Sequence, residues 1–169
     1  MWVLVQRPGF RLLIVGLVVL TIQTTLFVDL RPFGVIVDLL AGFSVATAVA
    51  AGPEAGVLAA FIFGLMIDLL LTTPFGLSAL CYGLAAFLIG LLKGSITVNQ
   101  GWWLSLMLVA IGTALAVGMY AVIGTLVGQH GWIRPKLITE VAVSAVVGGM
   151  LSPVSIRTQR WAMKVERQQ

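Results

Sequence analysis

Charge is scarce in this 169-residue chain: Lys, Arg, Asp and Glu make up 9% of it, against 60% hydrophobic residues and a mean hydropathy of +1.09. A water-soluble domain this short could not carry that composition without exposing large apolar patches, which excludes a fold in aqueous solvent and implies a bilayer. A single cysteine, Cys81, excludes an intrachain disulfide and any multi-cysteine metal or iron–sulfur site, and reads as a small packing residue. The lone histidine, His130, sits in the loop Gly128-Gln129-His130-Gly131-Trp132 and has no second imidazole to complete a metal site. There is no GxxxxGK[ST] and no GxGxxG, and Gly76-Leu77-Ser78-Ala79 lacks the flanking glycine and histidine of a nucleophile elbow. Neither a cofactor nor a nucleic-acid partner is expected. No polar segment is long enough to fold separately, so residues 1–169 read as one multi-pass membrane domain.

What is present is a series of apolar runs at 12–28, 34–51, 55–71, 75–92, 102–127 and 138–156, each long enough to cross roughly 30 Å of hydrocarbon. The first follows Arg7 and Arg11 as a signal peptide would, but no small-residue cleavage pattern follows it, so it reads as a retained span. Turn chemistry separates the runs: Asp29-Leu30-Arg31-Pro32, Ala51-Gly52-Pro53-Glu54 and Thr72-Thr73-Pro74. The sequence therefore predicts an all-α integral membrane protein of six transmembrane helices with short loops. With both termini cytoplasmic, Arg7, Arg11, Lys93, Arg157, Arg160, Lys164 and Arg167 lie inside, while Arg31, Arg134 and Lys136 lie outside. Residues 157–169 form a basic cytoplasmic tail, either solvated or lying along anionic headgroups.

Small residues recur every four positions, a spacing that puts them on one helix face and lets backbones approach closely in lipid. Gly52, Gly56, Ala60, Gly64 and Asp68 form one such stripe; Asp38, Gly42, Ala46 and Ala50 form a second; Glu140, Ser144, Gly148 and Ser152 a third. The run 75–92 is small at Ala79, Gly83, Ala86 and Gly90, after Gly76, and the run 102–127 at Gly112, Ala116 and Gly124. Three stripes carry a carboxylate at one end, and the assigned topology puts Asp38, Asp68 and Glu140 at similar depth near the outer boundary. A carboxylate in an apolar run is costly unless satisfied locally. The expected partners of these structural or partner-binding acids are the bases of that side, Arg31, Arg134 and Lys136, or water at the interface.

One enzymatic reading survives, an aspartyl-protease pair of Asp38 and Asp68 like that of a lipoprotein signal peptidase, although that family's asparagine- and glycine-rich surroundings are missing. A second alternative is the substrate-binding membrane subunit of a small-molecule transporter.

Gly52, Ala55-Gly56, Phe61, Gly64-Leu65 and Asp68, followed by Gly76, Ala79-Leu80, Tyr82 and Gly90, resemble the core pattern of the bacterial rod-shape-determining protein MreD family. Upstream, Gln23-Thr24-Thr25 and Asp38-Leu39-Leu40 match weaker features, with Val37 where that family often has proline. The resemblance implies a non-catalytic subunit of the cell-elongation machinery in the bacterial cytoplasmic membrane. It implies as partners an MreC-like membrane protein, MreB, RodA and a penicillin-binding transpeptidase, and a role in organising lateral peptidoglycan synthesis.

Overall fold

Proline, glycine and aspartate set the helix ends. Pro8 opens α1 (Pro8–Leu30), where its missing N–H costs nothing. Asp38 caps α2 (Leu39–Ala51), and Gly52, at φ +102°, turns the chain directly into α3 (Pro53–Asp68), again with proline in the first turn. Gly76, at φ +96°, opens α4 (Leu77–Ser95); α5 (Trp102–Leu126) and α6 (Lys136–Met163) complete the fold. The computed structural model describes residues 8–30, 37–71, 74–96, 102–128 and 136–163, with side chains described for 9–25 of α1.

The described residues form six helices and no strand, as the apolar runs predict, but the helix lengths differ from those runs. Three helices, α4, α5 and α6, are long and apolar enough to cross a membrane by length and composition. Helix α2 has 13 residues and α3 has 16, about 20 and 24 Å at the standard rise, both short of a hydrocarbon core of roughly 30 Å. The run 55–71 ends as a helix at Asp68 because its carboxylate is held by the next helix. Leu69–Leu71 instead form a turn closed by Leu70 and Leu71 N–H groups donating to the Ile67 carbonyl at 3.0 and 3.1 Å. At the other extreme α6 runs through Pro153 to Met163, so residues 157–163 are its last turns and not the start of a separate tail. Packing explains the extension: Gln159 and Ala162 are buried, and the Arg11 guanidinium lies 4.9 Å over the Trp161 ring.

Helix α2 occupies the centre and packs against each of the other five. Ten of its 13 residues are buried, and with Ala, Val and Gly on every side it needs no polar face. Around it the molecule is apolar outward: Leu17, Val18, Leu58, Leu88, Leu92, Ile111 and Met150 are exposed, while Ser44, Thr47, Thr113, Ser144 and Ser152 are buried. The buried hydroxyls of Ser44, Thr47 and Thr113 donate to carbonyls one turn back, Leu40, Phe43 and Val109, at 2.7, 2.9 and 2.7 Å, which keeps them satisfied without water.

Candidate functional site

A helix that starts inside an apolar bundle leaves N–H groups that lipid cannot satisfy. At the start of α2 these are met by two other helices, α1 and α6, as well as by its own cap, and α4 donates to the cap itself. Gln23 Oε1, from α1, accepts the N–H groups of Leu39 and Leu40 at 3.0 and 3.1 Å, and Asp38 Oδ1 accepts that of Ala41 at 3.1 Å. The Asp38 N–H donates to Ser144 Oγ of α6 at 3.3 Å, and the Tyr82 hydroxyl of α4 donates to Asp38 Oδ2. One half-buried carboxylate thus ties the start of α2 to α4, beside contacts to α1 and α6. Removing the Tyr82 donor should cost about 1–3 kcal/mol, the usual range for leaving a buried acceptor unsatisfied. Tyr82→Phe is expected to lower the unfolding midpoint in mixed micelles, whereas Ser95→Ala, at an exposed site, should not. An unchanged midpoint in Tyr82→Phe would show that Asp38 does not need this donor.

Asp68 performs the same task for α4. Gly76 precedes that helix and has no side chain with which to cap it. The Asp68 carboxylate, 3% exposed, substitutes from the end of α3: Oδ2 accepts the Gly76 N–H at 2.9 Å, and the two oxygens share the Ser78 N–H at 3.2 Å each. The Ala79 N–H adds a longer contact at 3.5 Å. Among the described residues the partner is the backbone at a helix N-terminus, where the dipole favours negative charge, and not a basic side chain. Of the three expected bases, Lys136 is exposed, and Arg31 and Arg134 lie outside the described residues, as do His130, Lys164 and Arg167. Glu140 is half-buried one turn before Ser144, at the same end of the bundle as Asp38 and Asp68, and among the described residues it joins neither network. Asp38 and Asp68 engage different donors and are not paired with each other, an arrangement unlike a protease dyad. Among the described residues no group of three His, Cys, Asp or Glu side chains could hold a metal.

At the opposite end Lys93 of α4 donates from Nζ to the Val49 carbonyl in the last turn of α2, a cation at a helix C-terminus. Lys93 and Gln23 enter the sequence reading only as a topology marker and a family feature. Their capping roles had one signal, a polar side chain within a turn or two of where an apolar run meets a break.

The small residues divide into two kinds. A Cβ at Gly64 would lie 2.2 Å from Ala79 Cα, one at Gly90 2.6 Å from Pro53 Cα, and one at Gly56 2.4 Å from Ala48 Cβ, so α3 is clamped between α2 and α4 along the expected stripe. A Cβ at Gly148 would lie 2.7 Å from Thr113 Oγ1 and one at Gly42 3.4 Å from Gly148 Cα, so α2, α5 and α6 come together there. A Cβ at Gly112 would lie 2.5 Å from a Val45 side-chain carbon and one at Gly16 2.8 Å from the Phe63 ring, which marks two further close approaches. Gly52, Gly76 and Gly83 differ: an added Cβ would meet nothing within 4 Å. The first two serve turns through positive φ, and Gly83 opens onto a groove.

That groove, of about 690 Å³, runs over α4 between α3 and α5. Gly76, Leu77, Ala79, Leu80, Gly83, Leu84 and Phe87 form its floor at the spacing of a single helix face, over a length of about 17 Å. Phe61 of α3 and Ile123 of α5 stand on either side, and Phe75 closes one end. Gly76 and Ala79, whose N–H groups Asp68 holds, belong to that end. The buried acid therefore positions the turn from which the groove starts.

Comparison with known proteins places a match to the family described as rod shape-determining protein MreD over residues 7–151. No curated protein and no solved structure matches the chain.

Proposed function

From the premise that this chain belongs to the MreD family of rod shape-determining membrane proteins, a non-catalytic family, we propose that it is a multi-pass scaffold of the bacterial cytoplasmic membrane. It binds the membrane helix of an MreC-like protein and thereby helps hold MreB, RodA and a penicillin-binding transpeptidase together for lateral peptidoglycan synthesis. It performs no chemistry of its own.

The observation that carries this reading is the groove over α4. In lipid, helices associate through close backbone approach, and a small residue on an otherwise apolar face is the feature that permits it. Gly83 is such a residue: an added Cβ there would meet nothing within 4 Å among the described residues, and Phe61, Leu80, Leu84 and Phe87 frame it. A groove about three turns long along one helix suits a second helix. The transporter reading has less support, because α2 fills the centre where such a subunit would enclose its ligand.

Mass spectrometry of the complex extracted in mild detergent tests the proposal. An MreC-like protein and elongation components should co-purify, and loss of the chain should round a rod-shaped cell. Recovery of a coupling protein with ATPases instead would favour the transporter.

The proposed orientation places both termini in the cytoplasm, on the seven-to-three division of Lys and Arg. A phosphatase reporter fused after Gln169 should be inactive and a cytoplasmic fluorescent reporter bright; the reverse pattern would invert the bundle and put Asp38 and Asp68 at the inner face.

A further inference from the structure

Basic side chains collect at the end of the bundle opposite the two buried aspartates. Arg11 near the start of α1, Lys93 near the end of α4, and Arg157 and Arg160 near the end of α6 are all there. The described acid of that end is Glu54, exposed in the first turn of α3 and not in an ion pair with either α6 arginine. Arg157 and Arg160 are exposed, three residues apart on one helix, where like charges destabilise each other. Between and beside them are two adjoining grooves of about 560 and 550 Å³, which share Pro153, Arg157 and Trp161. Val154 and Thr158 complete one, and Ile156 and Arg160 the other.

We propose that this surface binds the phosphate of an anionic phospholipid headgroup, with Arg157 and Arg160 as its cationic ligands and Trp161 at the level of the headgroups. Two guanidiniums with ten N–H donors between them fit phosphate oxygens, and an anion between them relieves their repulsion. A tryptophan with one face toward a guanidinium and the rest of the ring exposed suits the membrane–water boundary.

Free phosphate would satisfy the arginines equally well, but the surface continues in a way that only a lipid uses. Val146, Met150 and Val154 are exposed at four-residue spacing on α6, and Val154 also lines the first groove. This apolar strip leads up the helix to Arg157, Thr158 and Trp161, so a headgroup at the arginines would lay its acyl chain along it. The site does not depend on partner binding at the α4 groove, and its test does not either.

The full-length protein is purified in neutral detergent, and retention of phosphatidylglycerol, phosphatidylcholine and inorganic phosphate is measured by native mass spectrometry. Wild type should retain phosphatidylglycerol alone. Arg157→Gln/Arg160→Gln should bind it about 30-fold more weakly, the effect of two basic groups acting on an anionic surface, while Lys136→Gln at the other end should bind as wild type. Should the double variant fail to fold, a photoactivatable phosphatidylglycerol added to wild type must label the segment 146–161 in preference to α5. Equal retention by the double variant, displacement of the lipid by an equal concentration of inorganic phosphate, or labelling centred on α5 would each overturn the proposal.

Discussion

Gly64→Ala should destabilise the protein by about 3 kcal/mol, the upper end of the usual range for overpacking, although it adds a single methyl to a helix. The added carbon would stand 2.2 Å from Ala79 Cα and 2.4 Å from its backbone nitrogen. A flexible side chain can turn away from such a contact; backbone cannot, so α3 and α4 must separate. That separation also pulls Asp68 from the N–H groups of Gly76 and Ser78, because acid and glycine lie one turn apart on the same face of α3. Gly83→Ala supplies the control. It adds the same methyl where nothing lies within 4 Å, and should leave the unfolding midpoint within about 0.5 kcal/mol of wild type. Equal midpoints for the two variants would show that the α3–α4 seam is not close-packed in the membrane.

Asp68→Ala should be almost as severe, costing about 3 kcal/mol, since it orphans backbone donors at a helix terminus where Ser78 is fully buried. Asp68→Asn keeps one acceptor oxygen at nearly the same position and should lose less, about 1–2 kcal/mol. The partners make a sharper expectation possible. A carboxylate held by an arginine would leave an uncompensated charge when removed, and neutralising that arginine would restore part of the loss. A carboxylate held by N–H groups has no such rescue, so Asp68→Asn combined with Arg31→Gln, Arg134→Gln or Lys136→Gln should be no more stable than Asp68→Asn alone. Recovery in any one of the pairs would establish an ion pair in place of the helix cap.

The four-residue stripes carried much of the architecture. They located the acids at one end of the bundle and marked Gly56, Gly64 and Gly90 as positions of close approach, because a helical period and a small side chain are both properties of the sequence. The stripes do not say which side of a helix faces a neighbour and which faces outward. Gly83 and Gly90 share one face pattern on α4, yet one opens onto the groove and the other lies against Pro53. The partner of Asp68 was illegible for a related reason. An acid in an apolar run suggests a base, whereas among the described residues its donors are backbone groups of residues 76 and 78, which any sequence supplies. The shortness of α2 and α3 was hidden because apolar turn residues such as Leu69–Leu71 extend a hydrophobic run past the end of its helix. Hydropathy registers the lipid and not the hydrogen bonds. The basic stretch 157–169 reads as a tail, solvated or lying along headgroups, because its charges end the apolar run; helix α6 nonetheless continues to Met163 and buries Gln159.

If the groove over α4 is where a partner's membrane helix docks, a photo-crosslinking amino acid at position 83, on the groove floor, will report it, with position 150, exposed on α6, as the control. In cells that express the elongation machinery, position 83 should form an adduct with the membrane helix of the MreC-like protein, and position 150 none. Adducts of equal yield from both positions, or none from position 83 in a complex that still co-purifies, would contradict it.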